Sequence, residues 1–195
     1  MSFFIKISCI FVIGCSFGWV LEVVFRHFCR SSNPEGRWIN PGYLKGPWLP
    51  IYGFGLCTLY LLSGIEKLLP IGGVPGKLIL IVIMTFSVTL LELIAGLIYV
   101  DLLKTDLWDY SGEWGNFRGL ICPRFAFFWG IICTVYLLVV HRFLILFTDW
   151  LSLNAGFSIF AGIYLGLMLA DTLGFNMSRS KALHRSSLKK NHKII

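Results

Sequence analysis

The sequence predicts an all-α protein, a polytopic bundle of transmembrane helices. The 195-residue chain is 56% hydrophobic and only 14% charged, and its mean hydropathy is +0.76. Soluble domains are typically about 25% charged. The apolar residues also come in continuous runs, without the period of two that marks an alternating membrane strand. These observations together favour helices that cross a lipid bilayer over a soluble domain or a barrel.

Five apolar stretches are long enough to cross a hydrocarbon core, which takes about 20 helical residues. The predicted spans are Phe3–Phe25, Pro47–Ile65, Leu78–Val100, Phe125–Phe147 and Ala155–Gly174. We therefore assign residues 1–176 to a transmembrane bundle and residues 177–195 to a basic cytoplasmic tail. This division predicts a multi-pass protein of the cell membrane without a separate soluble domain.

The basic residues predict how the bundle is oriented. Five spans place the termini on opposite sides, and a cytoplasmic C-terminus puts thirteen of the seventeen Lys and Arg residues at cytoplasmic segments. The exceptions are Lys6, Lys67, Lys77 and Arg142. Because cytoplasmic loops are enriched in Lys and Arg, we predict an outside N-terminus and an inside C-terminus.

The composition also bears on partners and cofactors. Six Lys or Arg residues lie in the last seventeen positions, beside a span, where we expect them to contact membrane lipid headgroups. There is no folded basic domain, so we expect no nucleic-acid partner. Zinc-protease, serine-hydrolase and Cys/His spacings are missing, which predicts no catalytic motif, no metal site and no cofactor. The six cysteines are interpreted as small apolar residues.

Two parts of the chain resemble each other. Seven positions separate Asn40 from Pro47 and also Asn116 from Pro123, and an aromatic-Gly pair follows each proline. Spans one and three run in the same direction, so the pattern predicts parallel repeats over residues 3–65 and 78–147, with the fifth span as an addition. The alternative is a chance resemblance between two loops that enter a membrane.

The first of these loops is rich in residues that interrupt helices. The stretch "NPGYLKGPWLPIYGFG", residues 40–55, contains three prolines and four glycines. Irregular backbone at membrane depth is tolerated only against protein or a water-filled cavity. We therefore expect two cytoplasmic loops that dip toward each other, although Pro47 and Pro123 are equally consistent with ordinary first turns of helices.

Glu92 is the strongest candidate for a functional group, because ionisable residues inside spans are costly and usually functional. Thr85, Thr89, Gly96 and Tyr99 share its helix face, which should point into the bundle. The alternative is a packing seam with a protonated glutamate.

Glu22 is the corresponding acid of the first half, and Arg26 at i+4 is a local partner for it. If both acids line one pocket that opens inward, they are suited to bind a cation, a proton or a cationic substrate. The other candidate binding residues flank them in the spans and loops. They are Trp19, Asn40, Tyr52, Asp109, Asn116 and Arg124.

Three of the remaining polar residues have competing interpretations. Arg124 should either extend to the membrane interface or pair with Glu92 or a substrate anion. Asp109 should turn its loop or bind a ligand. Asp171 lies among small residues and is interpreted as part of a close helix contact.

Four tryptophans predict an aromatic belt at the inner boundary, namely Trp38, Trp48, Trp108 and Trp114.

Several motifs together resemble a bacterial family labelled putative ABC-transporter type IV, CmpB-like, over roughly residues 10–150. They are "GWVLE", "NPGYLKGPWLPIYGFG", "ELIAG", "WDYSGEWGNFRGLIC" and "FFWG". The resemblance implies a permease, and both a homo-oligomer and a separate ATPase subunit stay open as partners.

Three functional hypotheses follow from these patterns. The first is a permease-like protein that binds or moves a small solute or ion near the cytoplasmic face. It would work as a homo-oligomer or with an ATPase subunit, because five spans enclose little volume. The second is an intramembrane enzyme that acts on lipid-linked or headgroup substrates, with Glu22 and Glu92 as acid and base. The third is a non-catalytic membrane scaffold.

Overall fold

The protein is helical throughout the part of the chain that the structure describes. The structure is a computed structural model and describes residues 3–28, 33, 35–68, 72–102, 104, 107–152 and 154–191. Helices account for most of the described residues, which form no β-strand. The predicted all-α class is confirmed.

The described residues form six α-helices, which follow one another along the chain. They are α1 (Phe3–Phe28), α2 (Pro50–Ser63), α3 (Gly73–Leu97), α4 (Pro123–Val135), α5 (His141–Ser152) and α6 (Ala155–Asn191). Short 3-10 and π-helical segments extend or join these α-helices. A 3-10 turn at Gly64–Leu68 follows α2, a π turn at Ile98–Leu102 follows α3, and a second π turn at Tyr136–Val140 joins α4 to α5.

Within the part of the chain that the structure describes, four helical stretches are long and apolar enough to cross a membrane. These are Phe3–Phe28, Gly73–Asp101, Pro123–Leu151 and Gly156–Asn176. They coincide with the first, third, fourth and fifth predicted spans. Length and composition therefore identify a membrane protein, as the sequence predicted.

The second predicted span is shorter in the structure than in the sequence. α2 has 14 residues and the 3-10 turn after it has five. At about 1.5 Å per α-helical residue and about 2.0 Å per 3-10 residue, they extend about 21 and 10 Å. Only the two segments together match a hydrocarbon core of about 30 Å. The five-span count and the orientation thus stay predictions that depend on this extension.

The interior of the bundle consists of two apolar clusters. One joins the first four helices and the π turn after α4 through buried residues such as Ile10, Cys57, Met84 and Tyr136. The other joins α1, the loop before α2, and α6. Large apolar side chains that remain exposed on the outer faces are suited to contact lipid, which is the natural environment of a membrane helix.

The C-terminal helix is longer than its predicted span. α6 continues without a break from Ala155 to Asn191, so the predicted tail begins inside a helix. Residues 192–195 lie outside the described part of the chain, as do Cys29 and Arg30. The proposed division into a bundle and a tail stays a prediction.

Candidate functional site

The first irregular loop packs along the C-terminal half of α1. The Leu49 backbone N–H donates a hydrogen bond of 3.1 Å to the carbonyl of Cys15. Cys15 lies about 20 Å before the end of α1 at Phe28, at about 1.5 Å per residue. The loop therefore follows the helix far back from its end, and the protein itself supplies a partner for its backbone.

The second loop packs in the same way along the end of α3 and the π turn after it. Trp108 contacts the Tyr99 ring edge-on at 5.9 Å, and Leu120 covers the open face of Gly96. Tyr43 of the first loop lies on the same Tyr99 ring, at 5.4 Å between centroids. The two loops therefore converge, as the sequence predicted, and Tyr99 lies between them.

Asn40 holds the first loop in shape. Its Oδ1 accepts hydrogen bonds from the Gly42 backbone N–H (3.3 Å) and from Trp19 Nε1 (3.0 Å). Its Nδ2 donates to the carbonyls of Leu44 and Lys45, at 2.7 and 3.1 Å. Asn40 and Trp19 thus tie the loop to α1.

Asn116 has the corresponding role in the second loop. Its Oδ1 accepts from the Gly119 N–H at 3.0 Å, and its Nδ2 donates to the carbonyls of Ser111 and Glu113, at 3.1 and 2.9 Å. Asp109 turns the same loop, because its two oxygens accept from the Ser111 N–H and hydroxyl at 2.8 and 2.9 Å. All five hydrogen bonds stabilise the loop itself.

Glu22 lies between α1 and α2 and has a basic partner. Its Oε2 accepts from the Tyr52 hydroxyl at 2.8 Å, and its Oε1 accepts from Arg26 Nε at 3.0 Å. Arg26 also donates to the Leu107 carbonyl of the second loop at 3.2 Å. The charge of Glu22 is therefore balanced within the protein.

Glu92 is buried, with 5% of its surface exposed, and its partners are neutral. Its Oε1 accepts from the Tyr110 hydroxyl at 3.1 Å, and its Oε2 accepts from Trp129 Nε1 at 2.9 Å. Among the described residues, no basic side chain lies within 4.0 Å of its carboxylate. The expected inward-facing stripe on α3 is present, with Gly96 and Tyr99 buried on the same face.

The two acids belong to one cluster. The Tyr52 ring, which binds Glu22, lies 6.5 Å from the Trp129 ring, which binds Glu92. We call this cluster the polar centre; its members are Glu22, Arg26, Tyr52, Glu92, Tyr110 and Trp129. With both acids ionised it contains two negative charges and one positive charge.

Tyr110 is the one ring in the polar centre that comes from a loop. Burial, followed by the nearby Glu92 carboxylate, raises the pKa of the Tyr110 phenol well above its ordinary value of 10. The phenol therefore remains a hydrogen-bond donor to Glu92 throughout the neutral pH range.

The contacts of the two halves match. Each acid accepts a hydrogen bond from an aromatic side chain of the following helix, Tyr52 in α2 and Trp129 in α4. The leucine four residues after each loop asparagine is buried, with 2% exposure at Leu44 and 5% at Leu120. These contacts are what the predicted repeat would produce.

Arg124 does not contact either acid. Its Nη1 forms an ion pair of 2.8 Å with Glu113 Oε1, and its side chain is 63% exposed. Of the two interpretations of Arg124, the structure therefore agrees with the side chain at the surface and not with the pairing to Glu92. The second residue of α4 lies at the surface, whereas Trp129, further along the helix, reaches the carboxylate.

Asp171 is a site residue that sequence reasoning missed. Its Oδ2 accepts from the backbone N–H groups of Lys45 and Gly46, at 2.8 and 3.0 Å, and from Trp48 Nε1 at 3.2 Å. Trp48 is accordingly buried and is not a belt residue. The available signal was the first loop, whose backbone donors need an acceptor at membrane depth.

A cleft of about 240 Å³ lies beside the polar centre. Its walls come from α3, the second loop and the start of α4. They are Thr89, Gly115, Phe117, Ile121, Cys122, Pro123 and Ala126. Neither acid lines this cleft directly, although Thr89 lies one helical turn from Glu92.

The fold and the polar centre define a class, a helical membrane protein with two acids held between two converging loops. The chain belongs to the family described as Putative ABC-transporter type IV, whose model matches residues 9–174. The match includes α6 up to Gly174, further than the resemblance over residues 10–150 suggested. No curated protein and no solved structure matches the chain.

Proposed function

We propose that this protein is a permease component that binds or moves a small solute or ion at the polar centre, near the cytoplasmic face. A proton or a small cation is the ligand that the site suits best. The observation that carries the proposal is Glu92, a buried acid whose hydrogen-bond donors are both uncharged.

The two acids differ in what they gain from a positive ligand. Arg26 already offsets the charge of Glu22. Glu92 has hydrogen bonds but no countercharge among the described residues, and an uncompensated buried charge costs several kcal/mol. A proton or a cation at Glu92 removes this cost. Glu92 therefore is the binding residue, and Glu22 with Arg26 positions the rings around it.

The aromatic residues of the polar centre support a positive ligand. Tyr52, Tyr110 and Trp129 hold the two carboxylates through their hydroxyl and N–H groups, and aromatic ring faces not covered by a neighbouring ring attract cations. Asn40, Trp19, Asn116 and Asp109 hold the loops that supply or support these rings. Their part in binding is indirect, through the positions of the loops.

Purified protein in liposomes tests the proposal. We expect a gradient of protons or of small monovalent cations to drive uptake that Glu92→Gln abolishes, because glutamine retains the size and the acceptor oxygen but carries no charge. Glu35→Gln, at an exposed acid of the first loop, is the matched control and should transport normally. Folding of each variant is checked by its gel-filtration profile in detergent.

Normal uptake by a folded Glu92→Gln variant would remove Glu92 as the binding residue. Turnover of lipid headgroups by the purified protein, without any uptake, would favour the intramembrane enzyme instead.

We also propose that the pathway is completed by a second copy of the chain or by a separate ATPase subunit, because one chain encloses little volume. The family description favours the ATPase. The molar mass of the protein purified in detergent from its native membrane separates a monomer, a homo-oligomer and a complex.

A further inference from the structure

Two helices each supply a wall residue of the cleft beside the polar centre. Each wall residue lies one helical turn from a member of the polar centre on the same helix. Thr89 precedes Glu92 by three positions on α3, and Ala126 precedes Trp129 by three positions on α4. Residues three apart share a helix face. The inner end of the cleft therefore lies next to the hydrogen bond between Glu92 and Trp129.

Thr89 presents an unpaired hydroxyl in this cleft. Its Oγ1 is buried and has no hydrogen-bond partner among the described residues. Other hydroxyls of the helices donate to the carbonyl four residues earlier, including those of Ser63, Thr85, Ser87, Thr134, Thr148 and Thr172. A buried hydroxyl without a partner costs about 1–3 kcal/mol, so a polar occupant of the cleft would be stabilised there.

The mouth of the cleft opens among charged residues. Gly115 and Phe117 at its edge are exposed, and their sequence neighbours form exposed ion pairs, Arg124 with Glu113 and Arg118 with Asp101. Charged pairs of this kind belong in water or at headgroups and not in hydrocarbon. The cleft volume of about 240 Å³ holds several waters, since each needs about 10–15 Å³.

We infer that this cleft is an aqueous entrance through which a small hydrated cation reaches Glu92 from the cytoplasmic side, with the Thr89 hydroxyl as a hydrogen-bonding station on the way. The nature of the cation rests on the proposed function, whereas the presence of water in the cleft does not. The occupant is water with its dissolved ions, because the orphan hydroxyl and the charged mouth both favour a polar occupant over a lipid chain.

Cys122 provides a direct probe of water in the cleft. It lines the wall but is only 4% exposed, and Cys133 in α4 is fully buried and does not line the cleft. We expect a small cationic thiol reagent that cannot cross membranes to modify Cys122 in the full-length protein in liposomes, at least about tenfold faster than Cys133, because thiol reactivity needs access. Peptide mass spectrometry identifies the modified cysteine.

Two variants connect the cleft with Glu92. Ala126→Phe should fill the cleft and reduce both Cys122 modification and cation uptake, whereas Ile131→Phe, at a 47% exposed position of the same helix, should change neither. Thr89→Val keeps the side-chain shape and should reduce uptake without reducing Cys122 modification. Ser87→Ala, at a hydroxyl bonded within its own helix, is the matched control.

The experiments distinguish a failure of the aqueous entrance from a failure of the proposed transport. Cys122 that reacts as slowly as Cys133, or only with a reagent that dissolves in lipid, overturns the aqueous entrance. Normal uptake in Ala126→Phe, with Cys122 protected, overturns the connection to Glu92. Fast modification of Cys122 without any uptake supports a hydrated cleft and at the same time refutes the proposed transport.

Discussion

At the residue scale, the two acids of the polar centre have the same side chain in different surroundings. Arg26 neutralises Glu22, which is one turn away on α1. Glu92 instead depends on two neutral donors that come from a loop and from α4. Because only Glu92 lacks a countercharge, we expect Glu92→Gln to abolish transport. Tyr110 connects the second loop to the site, because its hydroxyl donates to Glu92.

Replacing Tyr110 by Phe should remove one hydrogen bond to a carboxylate, which is worth about 1.5–3 kcal/mol if Glu92 is ionised. The pKa of Tyr110 is raised on folding, so its contribution to stability is complete below its ordinary value of 10 and is lost as the pH rises further. The difference in melting temperature between the native protein and Tyr110→Phe should therefore stay constant near neutral pH and shrink in alkaline buffer.

Melting curves in detergent at several pH values measure this difference. A difference that does not change in alkaline buffer would show that Tyr110 has no raised pKa. Absence of any difference at neutral pH would show that the bond to Glu92 contributes nothing.

At the scale of elements, the close contact of α1 with α2 depends on glycine. A methyl group added at Gly18 would lie 2.2 Å from the Tyr52 ring, and one added at Gly14 would lie 2.7 Å from the Tyr52 carbonyl. Glycine lets the two backbones approach, and this approach brings the Tyr52 hydroxyl to Glu22.

Gly18→Ala should therefore displace Tyr52 and break its hydrogen bond to Glu22. Overpacking of this kind costs about 1–3 kcal/mol, so the melting temperature should fall clearly. Gly55→Ala, at a glycine of α2 with open space around it, should leave the melting temperature equal or slightly higher. Equal effects of the two substitutions would contradict the close approach at Gly18.

The loops are elements in which side chains supply much of the hydrogen bonding. Asp171 of α6 accepts three hydrogen bonds from the first loop, and Asn40 bonds four groups around it. In the second loop, Asn116 and Asp109 form hydrogen bonds to other residues of that loop. The first loop is thus held by a helix from the end of the chain, and α6 is an integral part of the site's support.

At the scale of the whole molecule, the number of crossings decides where the termini lie. Four crossings place both ends on one side, and five place them on opposite sides. α2 alone is too short to cross the membrane, and it is long enough for a fifth crossing only together with the 3-10 turn that follows it. The distribution of Lys and Arg favours an outside N-terminus and an inside C-terminus.

Reporter fusions at each end of the full chain test this topology. We expect a reporter that is active only in the cytoplasm to work at the C-terminus and to fail at the N-terminus. Activity at both ends would establish an even number of crossings and reduce α2 to a re-entrant segment.

Much of the architecture could be predicted from local sequence. The long apolar runs predicted α1, α3, the helical stretch Pro123–Leu151 and the apolar part of α6. A span needs only length and continuous hydrophobicity. The same reasoning identified Glu22 and Glu92, since a charge within an apolar run is visible in one dimension. The sequence left two interpretations open for Arg124 and assigned Trp48 to an aromatic belt, because a side chain near the start of a helix can turn to the surface, as Arg124 does, or to the core, as Trp48 does.

The sequence by itself determined the class of protein, its apolar helices and the two acids within them, because these depend on the balance between water and lipid at each residue. Only the tertiary structure decided which groups meet the acids. Tyr52 is 30 positions from Glu22 and Trp129 is 37 positions from Glu92. Such contacts depend on how closely glycine allows the helices to approach and on how the loops fold back, and no local pattern contains that information.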